Sequence, residues 1–338
     1  MPSKQSLPHS DRDFVQRIKP FRGELLAHCY RMLGSVDDAE DVVQETYLRA
    51  WRAYSGFEER SSFRAWLYKI ATNGCITATR QRRRRALPSG LGAPSDDPMA
   101  TPIMAGTDVD WVEPIPDALV SSDSDDPATI ASSRQGLRLA LIATWQHLPP
   151  RQRAILLLRD VLSFSAEEVG EMLEMSTAAV KSTLQRARGR IDELTPAADE
   201  VQEPAHPEVR ALLERYMAAF ENSDPAAIEQ LLCADATLEM APARTWFSGK
   251  KTCAPFIVHQ ALGTAGEWRM VPTAANGQPS VMAYRRGEDG AHHPFGIAVL
   301  TFRPSGIARI AVFGDPALVA KFEAAHDGSA RVFQNINS

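Results

Sequence analysis

The sequence predicts a multidomain protein: two all-α modules, a helical bundle and a helix-turn-helix, followed by an α+β domain. Three observations predict it. Apolar residues recur at three- and four-residue spacing over 13–85 and again over 134–194. A stretch rich in Pro, Gly, Ser and Asp, residues 86–130, separates these blocks and has little periodicity. From residue 208 onward, two helical segments give way to short β-like runs.

In order along the chain, Leu25, Leu26, Cys29, Met32 and Leu33 make the first apolar stripe, and Val42, Val43, Tyr47, Leu48 and Trp51 the second. Gly34 and Ser35 punctuate between them, and Asp37 is read as the cap of the second helix. A third helix begins after Ser61 and Ser62 and carries Phe63, Trp66, Leu67, Ile70 and Ala71. The 86–130 stretch reads as linker with one apolar island, Trp111, Val112 and Ile115, available for docking. Pro149 and Pro150 break the helices of 134–194, and a Pro, Ala and Glu stretch at 196–207 makes a second linker. Helical segments at 209–221 and 225–233 precede β-like runs at 237–240, 280–285, 296–302 and 307–313, with a hairpin turn at 303–306; the expected sheet is curled and antiparallel.

Composition excludes several classes. With 44% apolar and 23% charged residues the chain is ordinary globular protein, and no run approaches the ~18 apolar residues of a spanning helix. The N-terminus has no apolar core behind a basic start, which argues against a secretory signal. Four cysteines, at 29, 75, 233 and 253, form no Cys-x-x-Cys pair, so reduced thiols and a cytoplasmic location are expected. The net charge of −5 hides a strong segregation: residues 64–85 hold a local +7 without an acid, 86–133 a local −9 without a base, and 177–191 a local +4. Two basic blocks flanking an acidic linker read as two anion-binding modules on one chain.

The segment 165–191 carries the most information. Val169, Met172 and Leu173 give one helix an inward face, 174–176 makes a turn, and Ser176 caps a second helix with Val180, Leu184, Ala187 and Ile191 inward. Outward from that helix stand Lys181, Ser182, Gln185, Arg186 and Arg188, as a helix entering a major groove requires. Upstream, residues 38–51 set Asp38, Asp41, Gln44 and Glu45 opposite an apolar stripe, a face suited to a basic partner. The basic helix of 63–85 interleaves Phe63, Trp66 and Tyr68 with arginines, a combination that suits single-stranded nucleic acid, although periodicity alone assigns positions 63, 66 and 67 to a core.

In this order and spacing the segments 38–51, 63–74, 148–173 and 176–191 resemble the extracytoplasmic-function (ECF) class of bacterial sigma factors, over roughly residues 10–195. The resemblance implies sigma region 2 over 10–90, an acidic linker over 91–133 and sigma region 4 over 134–195. It implies that Asp38, Asp41, Gln44 and Glu45 bind RNA polymerase core (its beta and beta-prime subunits), and that Ser61, Ser62, Phe63, Arg64, Asn73, Arg80, Arg82 and Arg83 engage the minus-ten element. Thr177, Lys181, Ser182, Gln185, Arg186 and Arg188 fall where the family reads the minus-thirty-five element of promoter DNA. Two departures concern promoter identity: Thr183 stands where the family often has Arg, and the linker is longer than usual.

Residues 206–320 resemble a SnoaL-like domain, a cone of curved sheet closed by helices around a pocket, with a tail at 321–338. Tyr216, Trp246, Trp268 and Tyr284 are the pocket candidates, with Glu239, His259, His292 and His293 considered beside them. Adjacent His292 and His293 project to opposite sides of a strand, so no metal site is expected, and no cofactor or catalytic residue is implied. A regulatory domain with a small-molecule ligand is the expectation. A helix-turn-helix repressor acting without polymerase leaves the acidic face and the basic aromatic helix unexplained; a helix-turn-helix protein fused to a SnoaL-type cyclase or isomerase is the enzyme alternative.

Overall fold

A computed structural model describes residues 9–57, 62–80, 82–120, 136–194 and 207–336. They form two compact units. One is drawn from Met1–Arg83, Val120–Gly136 and Thr144–Thr195, the other from Arg84–Leu119, Leu137–Ala143 and Pro196–Ser338.

Among the described residues, every regular element of the first unit is a helix. α1 (His9–Ile18) leads into α2 (Arg22–Leu33), α3 (Val36–Ala53) and α4 (Phe63–Arg80). Gly34 ends α2 in the left-handed region, at φ 73°, where a Cβ would be strained. The cap of α3 is Ser35, whose Oγ accepts from Asp38 N–H at 3.4 Å; Asp37 instead lies in the first turn, where its charge meets the helix dipole. Ser62 caps α4 by accepting from Ala65 N–H at 3.1 Å. Tyr30, Tyr68, Leu25, Leu26, Met32 and Leu67 are fully buried at the centre of this bundle.

α5 (Leu139–Trp145) and α6 (Pro150–Leu156) follow; α6 runs on through a π turn, Leu157–Val161. α7 (Ala166–Leu173) opens on a capping box in which Ser165 and Glu168 bond each other's backbone, at 3.1 and 2.6 Å. Gly170 then permits a tight turn into α8 (Thr177–Leu194), because a Cβ there would stand 2.7 Å from Met175 O. Ser176 caps α8 through Ala179 N–H, 3.2 Å.

The second unit is built on a six-stranded mixed sheet. α9 (Pro207–Glu221) and α10 (Pro225–Leu231) precede β3 (Leu232–Ala241) and β4 (Trp246–Ser248). α11 (Lys250–Phe256) separates these from β5 (Trp268–Ala275), β6 (Gln278–Arg286), β7 (His292–Arg303) and β8 (Gly306–Phe313). The order is β4-β3-β8-β7-β6-β5. The sheet is not wholly antiparallel as expected: β3 and β8 run parallel, Leu238 opposite Ile310, while the other neighbours are antiparallel. The 303–306 hairpin is present, with Arg303 opposite Gly306. Sequence reading missed β4, β5 and α11.

Two boundaries are corrected. α12 (Pro316–Ile336) crosses residue 320 and buries Leu318, Val319, Phe322 and Ala325, so the domain core extends past the expected start of a tail. Much of the acidic linker is an integral part of this unit. β1 (Arg85–Ala86) and β2 (Asp110–Trp111) pair in parallel, and Val112 and Ile115 are fully buried. Asn276, fully buried with φ 57°, clamps this segment: its Oδ1 accepts from Ile115 N–H and its N–H donates to Ile115 O, both at 3.0 Å. Its Nδ2 also donates to Leu137 O at 2.8 Å, and Leu139 N–H donates to Gln278 Oε1 at 3.0 Å. Residues 137–143, expected within the helix-turn-helix module, therefore cluster with the sheet. Further along, Ser95 N–H donates to Trp246 O, Ala105 N–H to Pro242 O, and Arg244 N–H to Ile103 O, at 2.8, 3.0 and 2.7 Å.

Candidate nucleic-acid and polymerase interfaces

α3 presents a mixed acidic and apolar face. Asp41, Gln44 and Glu45 are exposed, and the helical period places Leu48 and Trp51 on the same side. Leu48 and Trp51, expected in the core, are 49% and 50% exposed; the packed stripe is Ala39, Val43, Thr46 and Ala50. Beside this face a groove of about 310 Å³ runs between α3 and α4, with Val42, Thr46 and Gly74 in its wall and Asp38, Asp41 and Glu45 along it. Glu45 is bonded by Arg49 Nε at 2.7 Å, and Asp38 pairs with Arg82, so two of the expected interface groups hold each other in this state.

α4 carries the aromatic and basic residues. Leu67 is core, as periodicity suggested, and Tyr68 is core as well, whereas Phe63 and Trp66, also expected in the core, are half-buried in a surface cluster. Phe63 lies 5.9 Å from Phe21, 5.7 Å from Phe57 and 5.7 Å from Trp66, ring to ring, and the Arg17 guanidinium stands 4.7 Å from its centroid. Arg64 bonds Glu24 at 3.2 Å and lies over both Tyr68 and Phe164, at 4.9 and 4.7 Å. Asn73 is exposed, yet its Nδ2 donates to Lys69 O at 2.9 Å and reaches Met172 O at 3.4 Å. Arg80, the last residue of α4, and Arg82 and Arg83 beyond it are exposed, Ser62 is the cap, and Ser61 lies outside the described residues.

Asn73 and Arg64 touch Met172 and Phe164 because the two helical modules are packed together within this unit. Arg153 fastens them: only 4% exposed, it donates through Nη1 to Met32 O and to Gln146 Oε1 (2.6 Å), and through Nη2 to Gln146 O (3.0 Å) and Leu148 O (3.1 Å). Burial lowers its pKa to about 10, which leaves it charged at neutral pH. Sequence reading passed over Arg153, since a basic residue in a helix normally signals a solvated face.

α8 keeps the predicted division except that Ile191, expected inward, is only half-buried and Thr183 joins the packed side. Val180, Thr183, Leu184 and Ala187 are buried, while Thr177, Lys181, Ser182, Gln185, Arg186 and Arg188 are all exposed. Thr177, Lys181, Gln185 and Arg188 follow i, i+4, i+8, i+11 spacing down one face. Arg188 makes a bidentate pair with Asp160, at 2.9 and 2.6 Å, and Arg186 donates to Thr183 Oγ1 at 3.1 Å. Thr183 thus belongs to the packed side of α8 and points away from any groove.

In the second unit a cavity of about 360 Å³ opens between the sheet and its helices, lined by Tyr216 and Trp268 among the pocket candidates. Trp246 and Tyr284 lie elsewhere: Trp246 Nε1 donates to Gly92 O at 2.9 Å, and Tyr284 Oη to Glu323 Oε1 at 2.7 Å. Buried Glu239 is bonded by Arg309 at 2.7 and 2.8 Å, His292 contacts Gly266 O, and His293 pairs with Asp289. Strand parity and the unforeseen β4 account for both misplacements.

A capped helix-turn-helix with a basic outer face, packed beside a four-helix module with an acidic-apolar face, defines a sigma-type transcription factor. The family descriptions Sigma-70 region 2 and Sigma-70 region 4 match residues 18–85 and 138–191. The chain belongs to the ECF RNA polymerase sigma factors. It is 47% identical over 312 residues to the ECF RNA polymerase sigma factor SigG of Mycobacterium tuberculosis, covering 92% of this chain and 83% of that protein. SigJ of the same organism is 29% identical over 224 residues, 66% of this chain and 63% of its own length. The crystal structure of SigJ covers 90% of this chain and 97% of that one with a TM-score of 0.57 at 23% identity, and so shares the fold, SnoaL-like C-terminal cone included. No helix among the described residues is long and apolar enough to cross a membrane.

Proposed function

We propose that the chain joins RNA polymerase core through the solvent face of α3, engages the minus-ten element with α4 and its arginine-rich end, and reads the minus-thirty-five element with α8. The observation that carries this reading is the α3 face. Asp41, Gln44 and Glu45 supply charge and polarity for a basic partner, and Leu48 and Trp51 supply apolar anchors that a solvent-facing helix otherwise lacks. On α8, Lys181 and Gln185 have the reach for base edges, while Arg186 and Arg188 suit phosphates. The cone domain acts as a modulator through the linker segment it holds. The cyclase alternative gains nothing from the cavity, whose polar side chains are Tyr216, Gln260 and Arg285, with neither carboxylate nor imidazole among the described lining residues.

Leu48→Ser with Trp51→Ser tests the assignment. Both side chains are half exposed, so the fold should tolerate the change, whereas assembly with purified core polymerase on size exclusion and run-off transcription should both fall at least tenfold. Normal assembly by a folded double variant rules out this face.

A further inference from the structure

The cavity of the cone domain is enclosed mostly by apolar groups: Phe220, Phe256, Trp268, Met270 and Phe295 form much of its wall. Its space exists because small residues, Ala283 and Ala298, stand at diagonal positions on β6 and β7 where larger ones would close it. About 360 Å³ falls in the lower part of the range of ligand pockets.

Two features show what it is shaped to hold. Tyr216 on α9 lines the cavity and is 3% exposed, yet among the described residues its hydroxyl has no hydrogen-bond partner. Opening onto the cavity, it can donate to an acceptor on a molecule held there. Burial also raises its pKa, so it remains a proton donor. The charged group in the wall, Arg285, is already neutralised by Glu267 at 2.6 Å and lies 5.6 Å from the Trp268 ring centroid. Gln260 and Arg285, the other polar side chains of the wall, are exposed, so the buried part of the cavity offers one donor, Tyr216, and no net charge.

The chain itself provides a strap across the opening. Pro102 and Met104 line the cavity although Met104 is 61% exposed, which places them at its rim. This strap is fastened to the turn after β3: Ile103 N–H donates to Thr245 Oγ1 at 2.8 Å, and Ala105 N–H to Pro242 O at 3.0 Å. It belongs to the segment between the region 2 and region 4 matches.

We propose that this cavity is a binding site for a neutral, largely apolar small molecule bearing one carbonyl-type acceptor, hydrogen-bonded by Tyr216 and covered by the 102–105 strap. Occupancy is thereby felt by the inter-module segment. The inference is independent of the promoter assignment.

The probe is Prodan, a neutral dimethylaminonaphthalene with a single ketone, whose emission reports both polarity and hydrogen bonding. The full-length protein should bind it saturably at one site with blue-shifted emission. Met240→Trp and Val312→Trp fill the cavity from half-buried, paired positions on β3 and β8. Either one that keeps its circular dichroism and melts within a few degrees of the parent should abolish binding. Tyr216→Phe should weaken Prodan about fivefold to tenfold, the net worth of one hydrogen bond, and leave dimethylaminonaphthalene lacking the ketone unaffected. Hydrogen exchange at the Ile103 and Ala105 amides should slow when Prodan binds. Absence of saturable binding, binding that survives a folded filled variant, or equal loss of both probes on Tyr216→Phe overturns the site. Unchanged exchange at 103 and 105 overturns the strap.

Discussion

Replacing Arg153 with methionine should loosen the junction of the two helical modules more than any exposed substitution. Its guanidinium serves four acceptors at 4% exposure: Met32 O in the last turn of α2, the Gln146 side-chain and main-chain oxygens, and Leu148 O. Two of these carbonyls lie at helix C-terminal ends, where a cation also meets the negative pole of the dipole. Methionine fills similar volume but donates nothing. Each orphaned buried acceptor costs about 1–3 kcal/mol, partly offset because the guanidinium no longer has to be desolvated. The expected net loss is about 3–5 kcal/mol. Lysine should not rescue it, since one ammonium on a flexible stem cannot span acceptors on both sides of the junction. Native-state hydrogen exchange at the α2 and α6 amides reads the local stability directly, separately from the cone domain. A loss below about 1 kcal/mol would show that the modules are held by apolar packing alone and would refute the reasoning.

Three further outcomes are expected. Asn276→Ala removes two buried side-chain hydrogen bonds and puts alanine at φ 57°, so the linker should undock; chymotrypsin should then cut at Trp111, a readout chosen because 86–133 contains no basic residue for trypsin. His28 is fully buried, bonded to Thr72 at 2.9 Å, and lowered from 6.5 to about 3, first by burial and then by the charges of Arg31 and Arg64. The folded state therefore binds fewer protons than the unfolded one, so this contribution is fully present above pH 6.5 and is lost as pH falls toward 3. Relative to His28→Gln, the parent should lose stability over that window with a slope of up to about 1.4 kcal/mol per pH unit, measured by urea unfolding. Alanine at Lys181 or at Gln185 should cost about 1–3 kcal/mol of promoter binding and relax preference at one or two base pairs; uniform loss over all sequences in a footprint titration would make them phosphate contacts instead.

The helical half of the fold was legible because its signals are local. Ser176, Ser62 and the 174–176 turn act within a few residues of themselves, and the inward set of α8 follows directly from its period. On α3 the same method misled, because the helix has two apolar stripes. Val42, Val43, Tyr47, Leu48 and Trp51 share a spacing, but only packing decides that Ala39, Val43, Thr46 and Ala50 face inward. The linker was illegible for the opposite reason. An extended Pro-rich segment has no period to read, and its clamp, Asn276, lies more than 150 residues downstream of Ile115. The pocket candidates divide along the same line: Tyr216 lies on a predicted helix and lines the cavity, whereas Tyr284 turned on the facing of a strand and Trp246 on the unforeseen edge strand β4.

The parallel pairing of β3 with β8 also sets an order of events during synthesis. Leu238 must wait for Ile310, and Val112 and Ile115 for Asn276, before either is covered. The helical unit, by contrast, has its last described element complete at Leu194. At about 5–20 residues per second, the ribosome needs on the order of ten seconds to supply the rest of the cone. During that interval a newly made chain carries finished DNA-binding helices beside an unfinished companion, its acidic segment unfastened and its apolar island bare. The protein's youngest state is thus chemically distinct from its mature one, and the last strand to emerge closes that window.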